Sequence, residues 1–172
     1  ILFAGPLAVL AAILVAEFAP RWVSEIVKPT IELLAGIPSV VLGFFALMVL
    51  ATWLQQLLGV RYRLNALTAG IGLGLAVIPI VYTVAEDALA AVPRSYREAS
   101  YALGASRWET AVRIVVPAAL PGIFAGIALG FGRAVGETMI VLMASGNAAL
   151  TTWPLTDSVR TLSATIAAEL GE

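Results

Sequence analysis

Two adjoining stretches decide how this chain is read: V-P-R-S-Y-R-E-A-S-Y-A-L-G-A-S-R-W-E-T-A-V-R-I-V-V-P (Val92–Pro117) and A-A-L-P-G-I-F-A-G-I-A-L-G-F-G-R-A-V-G-E-T-M-I-V-L-M-A (Ala118–Ala144). The first is polar and carries Arg94, Arg97, Arg107 and Arg113. The second is apolar and rich in glycine, yet holds Arg133 and Glu137 near its middle. Exposing either charge to lipid costs at least about 2.5–3.5 kcal/mol, so both must face protein or an aqueous path, and such residues point to function. Four residues apart on a helix, they share a face and can pair. Gly122, Gly126, Gly130 and Gly132, with Gly136 beyond, give overlapping small-xxx-small spacings that let membrane helices approach closely.

Composition agrees with a membrane setting. Of 172 residues, 60% are hydrophobic and 12% charged, and mean hydropathy is +0.97. A helix needs about 17–25 apolar residues to cross a bilayer. Leu33–Val60, Leu64–Ala85, Ile114–Gly132 and the shorter Ile1–Ala16 are uncharged runs of that kind. The expected fold is all-α: one polytopic transmembrane bundle over 1–172, with helices at about 1–19, 33–53, 67–88 and 118–144. A polar connection of Glu17, Pro20, Arg21, Glu25, Lys28, Pro29 and Glu32, read as an interfacial turn with a short amphipathic helix, and a loop at Ser145–Thr156 complete the frame, followed by an interfacial helix over 157–170 capped by Thr156 or Asp157. In that last helix Val159, Leu162, Ile166 and Leu170 share a face. Gly70, Gly72 and Gly74 are expected to allow close helix contact, and Pro79 to kink its helix. The chain starts at Ile1, inside an apolar run and without a basic leader, and reads as a fragment of a longer membrane protein.

Basic residues orient the bundle. Arg21, Lys28, Arg94, Arg97, Arg107 and Arg113 fall on one side, against Arg61, Arg63 and Arg160 on the other, which places the 92–117 loop in the cytoplasm. That loop carries two capping-box patterns, Ser95-x-x-Glu98 and Ser106-x-x-Glu109, with Gly104 between them to end the first helix. The spacing predicts two short helices, Tyr96–Leu103 and Arg107–Val115, meeting at a glycine corner, with Pro117 closing the unit. Tyr101, Leu103 and Trp108 are available to dock into a soluble partner. By local features alone, the same loop fits a plain interfacial segment whose aromatics rest on headgroups.

The order of residues separates those readings. Glu98-Ala99-Ser100, three residues, Gly104, nine residues, then Ile114-Val115-Val116-Pro117 resembles the EAA motif of ABC-importer permeases, with Ser100 in place of the second alanine and Val116 in place of a leucine. Val27-Lys28-Pro29, Ile31–Phe44 and Gly132–Met143 are similar to phosphate-importer permeases of the PstC type, the E-T-M at Glu137–Met139 and the Gly146-Asn147 that follows included. The resemblance implies a MetI-like bundle lacking its first and last transmembrane helices here. It implies a coupling role for Glu98, Ala99, Tyr101, Leu103, Gly104, Trp108 and Pro117 toward cytoplasmic ATPase subunits. A second homologous permease subunit, an extracytoplasmic phosphate-binding protein and the lipid of the cytoplasmic membrane are the further partners it implies. No nucleic-acid partner is expected.

On the same resemblance Arg133, Glu137 and Thr138 are candidates for the substrate pathway. Arginine's planar fork suits a tetrahedral oxyanion. Phosphate near neutral pH keeps a proton that it can donate to Glu137, which sulfate lacks. Thr138, Ser145 and Asn147 line the same route or hydrogen-bond backbone nearby. A pair that only fixes helix packing is the competing reading of Arg133 and Glu137, although buried pairs add little net stability. Permeases for molybdate, sulfate or phosphonate, a secondary transporter with Glu137 carrying the proton, and a purely structural subunit remain open. With no cysteine and no histidine, disulfides and zinc or haem sites are not expected, and no cofactor is assigned to the chain. No G-x-x-x-x-G-K-[ST] run occurs, so ATP hydrolysis, if used, falls to another chain.

Overall fold

A computed structural model describes residues 1–150 and 154–169. Thr151, Thr152 and Leu170, which belong to the expected loop and final helix, lie outside the described residues. In chain order the elements are α1 (Ala4–Phe18), α2 (Arg21–Ala35), α3 (Ser39–Leu58), α4 (Ala66–Ala90), α5 (Arg94–Ala102), α6 (Arg107–Gly136), α7 (Met139–Ala144) and α8 (Leu162–Glu169). Of these, 3 are long and apolar enough to cross a membrane: α3, α4 and α6, while α1 is shorter. The described residues divide into two compact units, Ile1–Ala35 with Val77–Phe131, and Gly36–Ala76 with Gly132–Glu172.

The first unit is held by a glycine ladder. Along α6, Gly122, Gly126 and Gly130 lie against Ala88, Val84, and the Val81–Val77 pair of α4. A Cβ at Gly122 would stand 2.4 Å from the Ala88 Cβ, and one at Gly130 would stand 2.5 Å from Val81 Cγ2. Val77, Val81, Ala85 and Leu89 of α4 and Val115, Ala119 and Ile123 of α6 are all buried. In α1, Ala4, Gly5, Ala8 and Ala12 make the buried stripe. The short amphipathic helix expected within the Glu17–Glu32 connection is longer, α2, running on to Ala35. Pro20 starts it by accepting from Val23 and Ser24 amides. Lys28 ties α2 to α4, its Nζ 2.7 Å from both Glu86 Oε2 and Asp87 Oδ1. Hydrogen bonding to Asp87 first, and to Glu86 next, holds the Lys28 ammonium well above the usual lysine range.

Within the second unit α3 starts at Ser39, not at Leu33. Residues 33–35 finish α2, and Pro38 at the N-cap restarts the helix with its carbonyl accepting from Val41. Gly59 at φ 62° stops α3. Ala46, Leu50, Leu54, Ala69 and Ala144 form the core. A Cβ on Gly43 would meet Met143 Sδ at 2.9 Å, and one on Gly72 would meet Ile140 and Ala46, whereas Gly70 faces open space. Asn65 caps α4 by accepting from the Thr68 amide at 2.9 Å. The next amides, of Ala66 and Leu67, are satisfied by the Asp157 and Leu155 carbonyls, a use of the 154–161 loop that closes one helix start. The final helix begins at Leu162, capped by Thr161 rather than Thr156 or Asp157, because residues 155–159 are engaged with α4 and Ser145. Val159 therefore falls outside it, while Leu162 and Ile166 are exposed.

The ladder makes a sharp stability contrast. Gly122→Ala in the intact, detergent-solubilised protein is expected to lose about 1–3 kcal/mol through over-packing against Ala88. Gly132→Ala, with nothing within 4 Å of the added atom, is expected to lose none. Thermal unfolding followed by fluorescence separates the two; equal melting temperatures would rule out the ladder as the tight contact.

Candidate functional site

The 92–117 knuckle is built from α5, a corner at Gly104 and the start of α6. Pro93 occupies the N-cap of α5, so Ser95 falls inside the helix and the Ser95–Glu98 capping box does not form. At the other end Gly104 takes φ 84°. Its amide donates to the Tyr101 carbonyl at 2.9 Å and that of Ala105 to Ser100 at 3.2 Å, a Schellman stop of the kind glycine favours. The second capping box is complete: Ser106 Oγ accepts from the Glu109 amide at 3.2 Å, and Glu109 Oε2 accepts from the Ser106 amide at 2.9 Å. α6 then passes without a break into the apolar span. A π turn at Ala111–Val115 widens the helix just before Pro117, so the proline that was expected to end the unit lies inside α6 instead.

Glu98, Ala99, Tyr101 and Gly104 are exposed, and Leu103 and Trp108 are 89% and 64% exposed. Leu103, Gly104, Glu109, Arg113 and Ile114 line a shallow open cleft at the corner. Pro117 is exposed too, but along the span and not at the corner. Beneath this surface the two helices are bolted together by Ser100 Oγ and Thr110 Oγ1, 2.8 Å apart and both buried. The departure of Ser100 from alanine in the EAA pattern thus has a local cause.

The knuckle is anchored by contacts that residue spacing alone does not reveal. Arg97 Nη2 donates to Glu17 Oε1 at 2.7 Å and to the Leu89 carbonyl at 3.0 Å, and Nη1 donates to the Val92 carbonyl at 2.7 Å. Glu17, its side chain 7% exposed, sits in the π turn that ends α1. Arg107 donates to the Glu17 carbonyl at 2.8 Å, and Trp108 lies on Phe18 with ring centroids 5.7 Å apart. The available signal was a lone carboxylate at the end of an otherwise uncharged run, opposite arginines assigned to the same side.

Arg133 and Glu137 form the second candidate site, within the second unit. The expected continuous helix 118–144 is interrupted there: α6 ends at Gly136 and α7 begins at Met139. Arg133 lies in the last turn of α6, where cations are favoured, and Glu137 precedes α7. Their closest approach, Nε to Oε2, is 3.7 Å, an ion pair longer than a hydrogen bond. Glu137 Oε1 also accepts from the Ile140 amide at 3.4 Å. The Glu137 side chain is 6% exposed and that of Arg133 37%, and Ser163 Oγ donates to the Glu137 carbonyl at 3.0 Å. Thr138 is the N-cap of α7 without a side-chain cap bond. Ser145 is buried and accepts from the Asn147 amide, while Asn147, at φ 48°, accepts from Arg160 Nε at 3.0 Å. Both serve as loop hydrogen-bonders.

The Ser100–Thr110 bolt is testable as a double-mutant cycle. Ser100→Ala alone leaves a buried Thr110 hydroxyl unpaired and is expected to destabilise by about 1–3 kcal/mol, whereas Ser100→Ala with Thr110→Val recovers most of the loss. Additive losses in melting experiments would show that the bolt is absent.

The chain matches the family described as binding-protein-dependent transport system inner membrane component over residues 7–167. It is 39% identical over 99% of its length to "Probable ABC transporter permease protein YqgH" of Bacillus subtilis (strain 168), covering 55% of that protein. Against the phosphate transport system permease protein PstC of Mesorhizobium japonicum the identity is 35%, over 100% of this chain and 58% of the relative. Against phosphate transport system permease protein PstA 1 of Mycobacterium tuberculosis (strain CDC 1551 / Oshkosh) it is 39%, over 83% of this chain and 45% of the relative. The chain thus spans about half the length of these curated relatives. With an EAA-type knuckle and three apolar spans in place, the chain belongs to the family of binding-protein-dependent transport system inner membrane components, the permeases of ABC transporters.

Proposed function

We propose that this chain is the permease part of an ATP-driven importer of inorganic phosphate in the cytoplasmic membrane. Its apolar helices contribute to the translocation path, and the 92–117 knuckle, on the cytoplasmic side, couples them to separate ATPase subunits. A second homologous permease subunit and an extracytoplasmic phosphate-binding protein complete the assembly. The observation that carries this reading is the knuckle: a left-handed Gly104 corner presents Leu103, Tyr101 and Trp108 outward, while the base beneath is fixed by Arg97 and the Ser100–Thr110 bolt. A surface that exposes large apolar side chains on a rigid mount suits a protein cleft better than water.

Phosphate is supported by the names of the PstC and PstA relatives and by the chemistry of the charged pair. Arg133 supplies a planar donor fork for an oxyanion. Glu137 supplies an acceptor for the proton that phosphate retains. Its contacts to Arg133 and Ile140, at 3.7 and 3.4 Å, are both long, so an incoming anion competes with weak bonds only. Thr138 stands beside them as a further polar contact.

Two substitutions test the two halves separately. Leu103→Asp, at a side chain that packs against nothing essential to the fold, is expected to cut ATPase co-purification with the full-length permease at least about tenfold, as loss of an interface anchor does. Its melting temperature should stay unchanged. Retained association would remove the coupling role, and uptake driven by a proton gradient without an ATPase would favour a secondary transporter. Glu137→Gln is expected to impair phosphate uptake in reconstituted vesicles while complex assembly persists. Wild-type uptake by that variant would remove Glu137 from the path.

A further inference from the structure

Resting on that coupling reading, we propose that Glu17 and Arg97 are the link through which displacement of the knuckle is passed into α1. Three elements meet on the Arg97 guanidinium. It belongs to α5 of the knuckle, it donates to the Leu89 and Val92 carbonyls at the end of α4, and it makes a two-pronged contact with Glu17 at the end of α1. The prongs are Nη2 to Oε1 at 2.7 Å and Nε to Oε2 at 3.5 Å. The second helix of the knuckle reaches the same turn of α1, through Arg107 on the Glu17 carbonyl and Trp108 on Phe18. Both knuckle helices therefore grip one turn, so a push on the corner moves the end of α1 with it instead of bending a loop.

The chemistry favours a mechanical role over a solubilising one. Glu17 is almost fully buried, and a buried carboxylate keeps its charge only where a cation and hydrogen-bond donors surround it. Arg97 is suited to this because its donors are spread over a fixed planar fork, whereas the three donors of a lysine ammonium all sit on one atom and lack that reach. The turn that carries Glu17, Leu14–Phe18, is π-helical, a geometry frequent at functional sites. Pro20 follows it directly, and α2 then leads to Lys28, whose bonds to Glu86 and Asp87 close a second tie between α2 and α4. A shift of α1 at Glu17 is thereby shared with α4.

The pair is a positioning device, so its test is a ratio. Glu17→Gln, Glu17→Asp and Arg97→Lys are placed in the full-length permease, assembled with its ATPase and reconstituted in vesicles, with phosphate uptake and ATP hydrolysis measured in the same sample. Glu17→Gln and Arg97→Lys are expected to lower phosphate moved per ATP at least about fivefold, the low end of ordinary coupling between sites. Glu17→Asp should recover part of the ratio. An unchanged ratio in both variants overturns the proposal, even if stability falls, because a purely structural pair lowers yield and melting temperature without uncoupling. Failure of both variants to assemble also overturns it, assigning the pair to folding alone. Should the unsubstituted protein itself show no ATP-dependent uptake, the coupling reading fails first, an outcome distinct from a failed link in a working transporter.

Discussion

Helices that share a bilayer gain nothing by hiding apolar surface from one another, since lipid is as apolar as leucine; they hold together only by close contact and by hydrogen bonds that lipid cannot supply. The glycine ladder of α6 is this constraint made local. By removing a side chain at every fourth position, Gly122, Gly126 and Gly130 let the helix settle onto Ala88, Val84 and Val81. At its end α4 runs directly into the knuckle, with the Leu89 and Val92 carbonyls turned to Arg97.

A second constraint follows from the first. The last carbonyls of a helix lack partners within it and must find donors elsewhere. At the end of α4 they find Arg97, so the same side chain that ends one helix also anchors the next. At the start of α4 the 154–161 loop does the matching work, its Asp157 and Leu155 carbonyls taking the free amides of Ala66 and Leu67. The start of α4 is thus closed by a part of the chain distant in sequence and its end by the knuckle that directly follows it, one closure in each compact unit.

The sequence made much of this legible, and the exceptions have physical causes. Apolar length found the spans, glycine spacing found the ladder, and the Ser106–Glu109 box and the Gly104 corner follow from local hydrogen bonding. The Ser95 box does not form because the helix starts earlier, with Pro93 at the N-cap and Ser95 already inside the first turn. Pro117 did not stop a helix because a π turn absorbed its missing donor, an adjustment no residue pattern announces. The boundary at Leu33 moved because an apolar residue can end an amphipathic helix as readily as start a buried one. In sequence Glu17 reads only as the start of a polar connection, since its partner Arg97 lies 80 positions away.

The interruption at Glu137–Thr138 bears on how the charged pair can act. On one unbroken helix, residues four apart sit at fixed separation and pair as tightly as their rotamers allow. Here the helix is interrupted just after Gly136, and Glu137 divides its carboxylate between the guanidinium and the Ile140 amide of α7. Neither contact reaches the length of a strong charge-assisted hydrogen bond, about 2.7–2.9 Å. A pair kept only to neutralise buried charge would be expected to close to that distance, because desolvation is offset only by good geometry. The looser arrangement, with Arg133 partly exposed and Glu137 buried, leaves the guanidinium able to exchange partners at little cost. That asymmetry is what an anion contact on the proposed path requires.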